Sequence, residues 1–225
     1  MGVPAYSDKC ALDIDTDKYG KELLSCARLV IPYSEIQQHV LKLQRELNEL
    51  VSDQPFFAAP VLDGADRFCT DLIEPYNNAN RSPLRFKSYR RTQSTGMVDR
   101  DREILDSFLS SRKIHEPYPI VVVEDILDNG YTLADILSFF HENNIQCSDF
   151  SFFVLLNKPG ARKTKCPEID MHVGCTIPNF FVIGYGLDYD GHFRKLNNIY
   201  EVTDEEQLKE IVRTRQRANS VPNIR

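Results

Sequence analysis

Ile120-Val121-Val122-Val123-Glu124-Asp125-Ile126-Leu127-Asp128-Asn129-Gly130-Tyr131-Thr132 is the stretch on which the fold turns. Four β-branched residues in a row read as a strand buried on both faces, the habit of a parallel sheet. Two carboxylates follow, then a short turn with Asp, Asn, Gly and Thr, then a helical pattern over about 131–143. A strand that runs through a small-residue turn into a helix aims backbone N–H groups and the helix N-terminus at one spot, and that spot suits phosphate. Carboxylates beside it can hold ribose hydroxyls or a magnesium ion. Strands ending in paired acids also occur in other doubly wound folds, where Asp caps the next helix. The motif therefore draws its meaning from the rest of the chain.

Outward from it, strands and helices alternate. Arg28–Ile31 reads as a short strand. Ile36, Val40, Leu43, Leu47 and Leu50 then recur at three- and four-residue steps, one face of a helix opened by a Ser34/Gln37 capping box. Phe56–Leu62 is a buried strand in which Pro60 lacks a ladder donor. A turn at Asp63-Gly64-Ala65-Asp66 leads to a helix ending near Tyr76, and Leu84–Ser88 is the next strand. Residues 88–103 are polar and aperiodic, which suits a mobile surface loop over a site. Phe152–Leu156 is another buried strand, followed by a basic loop from Lys158 to Lys165. Phe180–Gly184 and Ile199–Val202 are strands. Thr203-Asp204-Glu205-Glu206 forms a capping box for a C-terminal helix over about 203–217. This alternation predicts an α/β fold with a parallel sheet flanked by helices.

The 225 residues are enough for one α/β domain with a small appendage. Hydrophobic residues make up 42% and charged residues 27%, an ordinary globular balance. A net charge of −6 and a pI near 5.4 argue against a general nucleic-acid binder. No apolar run reaches bilayer length and the N-terminus has no signal-peptide core, so a cytoplasmic protein without a membrane partner is expected. The six cysteines are scattered and read as reduced thiols. Cys166, His172 and Cys175 match no standard zinc spacing.

The 120–132 segment resembles the phosphoribosyl pyrophosphate signature of the purine phosphoribosyltransferases. Further segments match one subfamily, the hypoxanthine-guanine phosphoribosyltransferases, in the same order. Val61-Leu62-Asp63-Gly64 resembles its pyrophosphate loop, and Lys87-Ser88-Tyr89 with Gln93–Gly96 its flexible catalytic loop. Leu155–Pro159 is similar to its purine-binding lysine segment. Ile177–Tyr189 with Phe193-Arg194 resembles its C-terminal purine and pyrophosphate site. The resemblance spans roughly residues 25–202. It implies a type I phosphoribosyltransferase fold: a single domain over 1–225, with a core over about 27–165 and a small hood from about 1–26 and 166–198.

The resemblance also implies a reaction, purine salvage. The 5-phosphoribosyl group of phosphoribosyl pyrophosphate passes to hypoxanthine or guanine, giving IMP or GMP and pyrophosphate, with Mg2+. By resemblance Asp128 is the base that accepts the purine N7 proton. Glu124 and Asp125 contact the ribose hydroxyls, directly or through magnesium. Asp128, Asn129, Gly130, Tyr131 and Thr132 form the 5′-phosphate turn. Lys158 donates to the purine 6-oxo group, which discriminates against adenine. Phe181 stacks on the base, the Val182 backbone meets the ring edge and Asp188 is the second magnesium contact. Asp63, Gly64 and Arg194 serve pyrophosphate, and a homodimer or homotetramer is implied.

Three positions depart from the pattern. Asp63 stands where many relatives have lysine, in a loop whose Asp63–Gly64 peptide is the candidate for a cis bond. Asn129 replaces a usual Thr or Ser, and Tyr131 a frequent lysine. These departures keep a second reading open: a weakly active or inactive paralogue acting as a nucleotide-binding sensor or interaction module. A phosphoribosyltransferase-derived RNA-binding regulator is disfavoured by the acidic pI and by the Lys158 and Phe181 segments.

Overall fold

A computed structural model describes residues 22–87, 99–114, 118–165 and 167–220. The chain divides into two compact units, 39–179 and the pair 1–38 with 180–225.

The 39–179 unit is built on a five-stranded, wholly parallel sheet. In chain order its strands are β2 (Phe56–Pro60), β3 (Ala79–Arg81), β6 (Ile120–Leu127), β7 (Phe150–Asn157) and β8 (Met171–Thr176), arranged β3-β2-β6-β7-β8. The predicted central strand is longer than its β-branched run: β6 continues through Glu124 and Asp125 to Leu127. All its residues but Ile126 are buried. Val121, Val122 and Val123 lie in register with Ser151, Phe152 and Phe153 of β7. Each such buried aliphatic side chain contributes about 1.5–3 kcal/mol. One face of the sheet shares a core with Leu105, Phe108, Ile136, Phe139 and Phe140 from helices α3 (Arg102–Ile114) and α4 (Tyr131–Glu142). Phe108 and Phe140 stack with ring centroids 5.9 Å apart.

Pro60 sits inside this sheet without breaking it. Its carbonyl accepts from Leu84 N–H, whereas Val61 N–H donates to Val123 of β6. Backbone groups alternate sides along a strand, so the missing Pro60 donor faces residues 82–84 and the ladder to β6 is intact.

Helix α1 (Tyr33–Val51) buries Ile36, Val40, Leu43 and Leu47 as its spacing predicts, but the stripe ends on Val51 and Leu50 stays exposed. Ser34 lies within this helix, not at its cap. Helix α2 (Asp66–Ile73) follows the 63–65 turn. The strand expected over 84–88 is reduced to β4 (Phe86–Lys87), which pairs antiparallel with β5 (Asp99–Arg100). Residues 99–103 are therefore not loop: Asp99 and Arg100 close a two-stranded sheet and α3 starts at Arg102. Residues 88–98 of the expected loop lie outside the described residues. Three elements were not anticipated from sequence: β3, which falls in a polar run that reads as loop over 77–80, α3, although Ile104, Leu105, Phe108 and Leu109 recur at helical spacing, and the edge strand β8, where His, Gly and Cys interrupt the pattern.

The other unit holds an antiparallel three-stranded sheet, β1-β10-β9, from β1 (Ala27–Ile31), β9 (Val182–Ile183) and β10 (Ile199–Val202). Helix α5 (Glu205–Ser220) adds Leu208, Ile211 and Val212 to a core with Leu23, Cys26, Phe193, Leu196 and Tyr200. The cap differs from expectation. Asp204, not Thr203, holds the helix start, its Oδ1 accepting Gln207 N–H at 2.9 Å. No helix among the described residues is long and apolar enough to cross a membrane.

Candidate active site

Parallel strands bring their C-terminal ends to one edge of the sheet, where an α/β protein places its site. Glu124 and Asp125 lie near that end of β6, 7% and 9% exposed. Glu124 Oε2 is buried without a hydrogen-bond partner among the described residues. Burial, reinforced by the neighbouring Asp125 carboxylate, pushes the Glu124 carboxyl well above its usual range. Asp125 Oδ1 accepts the Ile126 N–H at 2.9 Å.

Gly64 meets the same carboxylate from another segment: a Cβ there would lie 1.9 Å from Asp125 Oδ2. Only a residue without a side chain permits this approach. The fold thus joins the 61–64 loop to the end of β6. The cis bond falls one residue earlier than expected, at Leu62–Asp63. Asp63 forms a short ion pair with Arg85, which also lies 3.7 Å from Asp101. The unexpected carboxylate therefore has a cation of its own.

The turn between β6 and α4 has the predicted form. Gly130 is left-handed, with φ of 87°. Asn129 Oδ1 accepts the Tyr131 N–H at 2.9 Å, an Asx-type turn, and Ala134 N–H donates to Gly130 O as the helix begins. Thr132 lies in the first turn of α4. Asp128 and Lys158, thirty positions apart in sequence, meet across adjacent strand ends with Nζ 3.9 Å from Oδ2. Lys158 is 3% exposed. Burial pulls its ammonium below the usual lysine value and Asp128 opposes that pull. A half-exposed carboxylate beside a buried cation can take a proton from a ligand, while the cation faces an acceptor.

In the other unit, Asp188 and Arg194 form an ion pair at 2.9 Å. Arg194 also donates to Gly186 O at 2.6 Å, and Asp188 Oδ2 accepts Gly191 N–H at 2.7 Å. Phe181 packs edge-to-face on Tyr189, centroids 5.9 Å apart. Val202 N–H donates to Phe181 O, so 181 and 202 are the hydrogen-bonded pair and Val182, opposite Glu201, is not. The Val182 amide and carbonyl therefore point away from β10, which leaves them aimed at whatever lies beyond β9. Of the expected catalytic-loop residues, Lys87 lies on β4, whereas Ser88 and Tyr89 lie outside the described residues. Arg85, Arg162 and Thr164 hold this site's loops and were not singled out from sequence; only the basic run 158–165 hinted at two of them.

A parallel sheet with flanking helices, a left-handed glycine turn after its central strand and paired acids before that turn define the type I phosphoribosyltransferase fold. Comparison with known proteins places the chain within it. It is 27% identical to the hypoxanthine-guanine phosphoribosyltransferase of Canis lupus familiaris, over 93% of this chain and 96% of that protein. It is 28% identical to human Phosphoribosyltransferase domain-containing protein 1, over 80% of each. The solved hypoxanthine phosphoribosyltransferase of Staphylococcus aureus matches with a TM-score of 0.63 and 27% identity, over 80% of this chain and 92% of that one. No family model matches the chain. The chain is a relative of the hypoxanthine-guanine phosphoribosyltransferases, as its motifs implied.

Proposed function

We propose that the protein transfers the 5-phosphoribosyl group of phosphoribosyl pyrophosphate to hypoxanthine or guanine, yielding IMP or GMP and pyrophosphate. The observation that carries this reading is the meeting of Asp128 and Lys158, 3.9 Å apart, beside the phosphate-type turn. The reaction forms a bond from a purine nitrogen to C1 of the ribose as the C1–O bond to pyrophosphate breaks. In this reading Asp128 takes the purine N7 proton as charge develops, and the Lys158 ammonium donates to the 6-oxo group. The 129–132 turn holds the 5′-phosphate on its backbone N–H groups other than that of Tyr131, which already donates to Asn129 Oδ1. Phe181 and Val182 serve the base, and Arg194 the pyrophosphate. The hood is read over about 1–26 and 166–198.

Among the described residues no three His, Cys, Asp or Glu side chains gather as a ready-made metal cage. The orphaned Glu124 oxygen nonetheless suits a partner from outside the chain, either ribose hydroxyls or the water shell of Mg2+. Glu124 and Asp125 would hold the ion. Asp188, with both oxygens already accepting, would meet it through remaining lone pairs. Bound Mg2+ would supply charge neutralisation for the pyrophosphate. A cytoplasmic location and a homo-oligomeric state belong to the same proposal.

Asp63, Asn129 and Tyr131 depart from the pattern that the resemblance implies, which favours a second reading as a weakly active or inactive paralogue acting as a nucleotide-binding sensor or interaction module. One assay separates the two. Purified protein is given hypoxanthine, guanine, xanthine or adenine with phosphoribosyl pyrophosphate and Mg2+, and nucleotide is detected. Formation of IMP and GMP with little AMP is expected. Tight IMP binding without product would establish the second reading, and adenine reacting as well as hypoxanthine would remove Lys158 from base recognition.

A further inference from the structure

The loop after β7 holds the phosphate turn in a way that the family motifs do not describe. Arg162 follows the short 3₁₀ turn Pro159–Ala161. Its Nη1–H donates to the main-chain oxygen of Asp128 at 2.8 Å, and its Nη2–H to Asn157 Oδ1 at 2.5 Å. One planar guanidinium thus spans the ends of β6 and β7. The next residues extend the clasp: the N–H groups of Lys163 and Thr164 both donate to Asn129 O, at 2.9 and 3.3 Å. The packing is close, because a Cβ on Gly130 would lie 2.3 Å from Thr164 Oγ1 and 3.1 Å from Arg162 Cδ. From the near side, Lys158 N–H donates to Leu127 O at 3.0 Å. The carbonyls of Leu127, Asp128 and Asn129 are therefore all held by residues 158–164, the segment that carries Lys158.

We propose that Arg162 is a positioning residue that locks the phosphate turn to the Lys158 segment, so that an anion in the turn and a base at Lys158 bind cooperatively. This rests on reading Lys158 as the purine contact. Asn157 immediately precedes Lys158 in the chain, so any shift of the turn on anion entry passes through one rigid fork to the lysine backbone. Neither acceptor is charged, and the guanidinium reaches both at once. A lysine at 162 would lack the rigid planar fork that holds both acceptors in fixed geometry.

The test uses the full chain, with hypoxanthine binding measured by calorimetry in the absence and presence of ribose 5-phosphate, which fills the turn alone. In the wild type ribose 5-phosphate should tighten hypoxanthine about 5- to 100-fold, the usual range of coupled sites. In Arg162→Met each ligand should still bind alone, but the coupling should fall below about 2-fold, with Arg162→Lys between. Full coupling in Arg162→Met overturns the proposal. If the wild type neither binds hypoxanthine nor makes IMP, the purine reading itself has failed, and hydrogen exchange then decides the clasp. The Lys163 and Thr164 amides should exchange about tenfold faster in Arg162→Met while Val121–Val123 are unchanged. Unaltered protection at 163 and 164 overturns it whatever the purine result. Should the Met variant not fold, the Lys variant carries both measurements.

Discussion

At the scale of single residues, Glu124 sets stability against function. Its folded carboxyl is raised well above the usual value by burial and by Asp125. Between the unfolded and the folded values the folded chain keeps a proton that the unfolded chain has released. Stability therefore falls as pH rises through that window. Glu124→Gln should remove this slope, raising the melting temperature at pH 7 more than at pH 4, while weakening binding of ribose-bearing ligands. A variant that melts with the wild type's pH dependence would mean that Glu124 is not the titrating group. Asp128→Asn should lower turnover about 10²- to 10⁴-fold, the worth of a positioned base. IMP affinity should change far less, since the turn's backbone donors remain. Steady-state rates with calorimetric IMP binding check this, and full activity would take Asp128 out of the mechanism.

At the scale of elements, the junction of β6 and α4 is the fragile part. Gly130 combines a φ of 87° with a neighbour that leaves no room for a methyl group. Gly130→Ala should cost about 1–3 kcal/mol from the left-handed backbone alone. Displacement of Thr164 should add to that, and phosphate binding should be lost with it. Chemical denaturation and phosphate titration together test this, and an alanine variant of wild-type stability would show that the turn relaxes freely. Helix α5 depends on a simpler device. Asp204→Ala removes the acceptor for Gln207 N–H and should cost about 0.5–2 kcal/mol, measurable in the same denaturation assay.

At the scale of the whole molecule, the net charge of −6 means that an anionic ligand would have to be drawn by local placement alone. Asp63 bears on this because it spends part of the charge of Arg85 at the loop beside Asp125. Asp63→Lys should free Arg85 and add a cation, tightening phosphoribosyl pyrophosphate at low magnesium, with a gain that shrinks as salt is raised. Sedimentation should be unchanged, because the Asp63 partner lies within the chain. Weakened assembly with unaltered affinity would instead assign Asp63 to a contact between subunits.

Local patterns determined much of this protein from sequence. The β-branched run Val121–Val123 reads as a strand buried on both faces, Gly130 marks the turn, and the stripe from Ile36 to Leu47 reads as the core face of a helix; the run and the stripe are buried as read. These readings depend on neighbours a few residues away, which a sequence displays. Tertiary structure alone decided the rest. The edge strand β8 has too mixed a pattern to be seen before β7 is beside it, and only the packed fold shows that Leu105 and Phe108 of α3 reach the core. The ion pair of Asp63 with Arg85, the Gly64 approach to Asp125 and the Arg162 bridge join positions far apart in the chain. Long-range pairings of this kind leave no periodic trace in sequence, because any of several cations could have been carried to the same place by a different packing of the same elements.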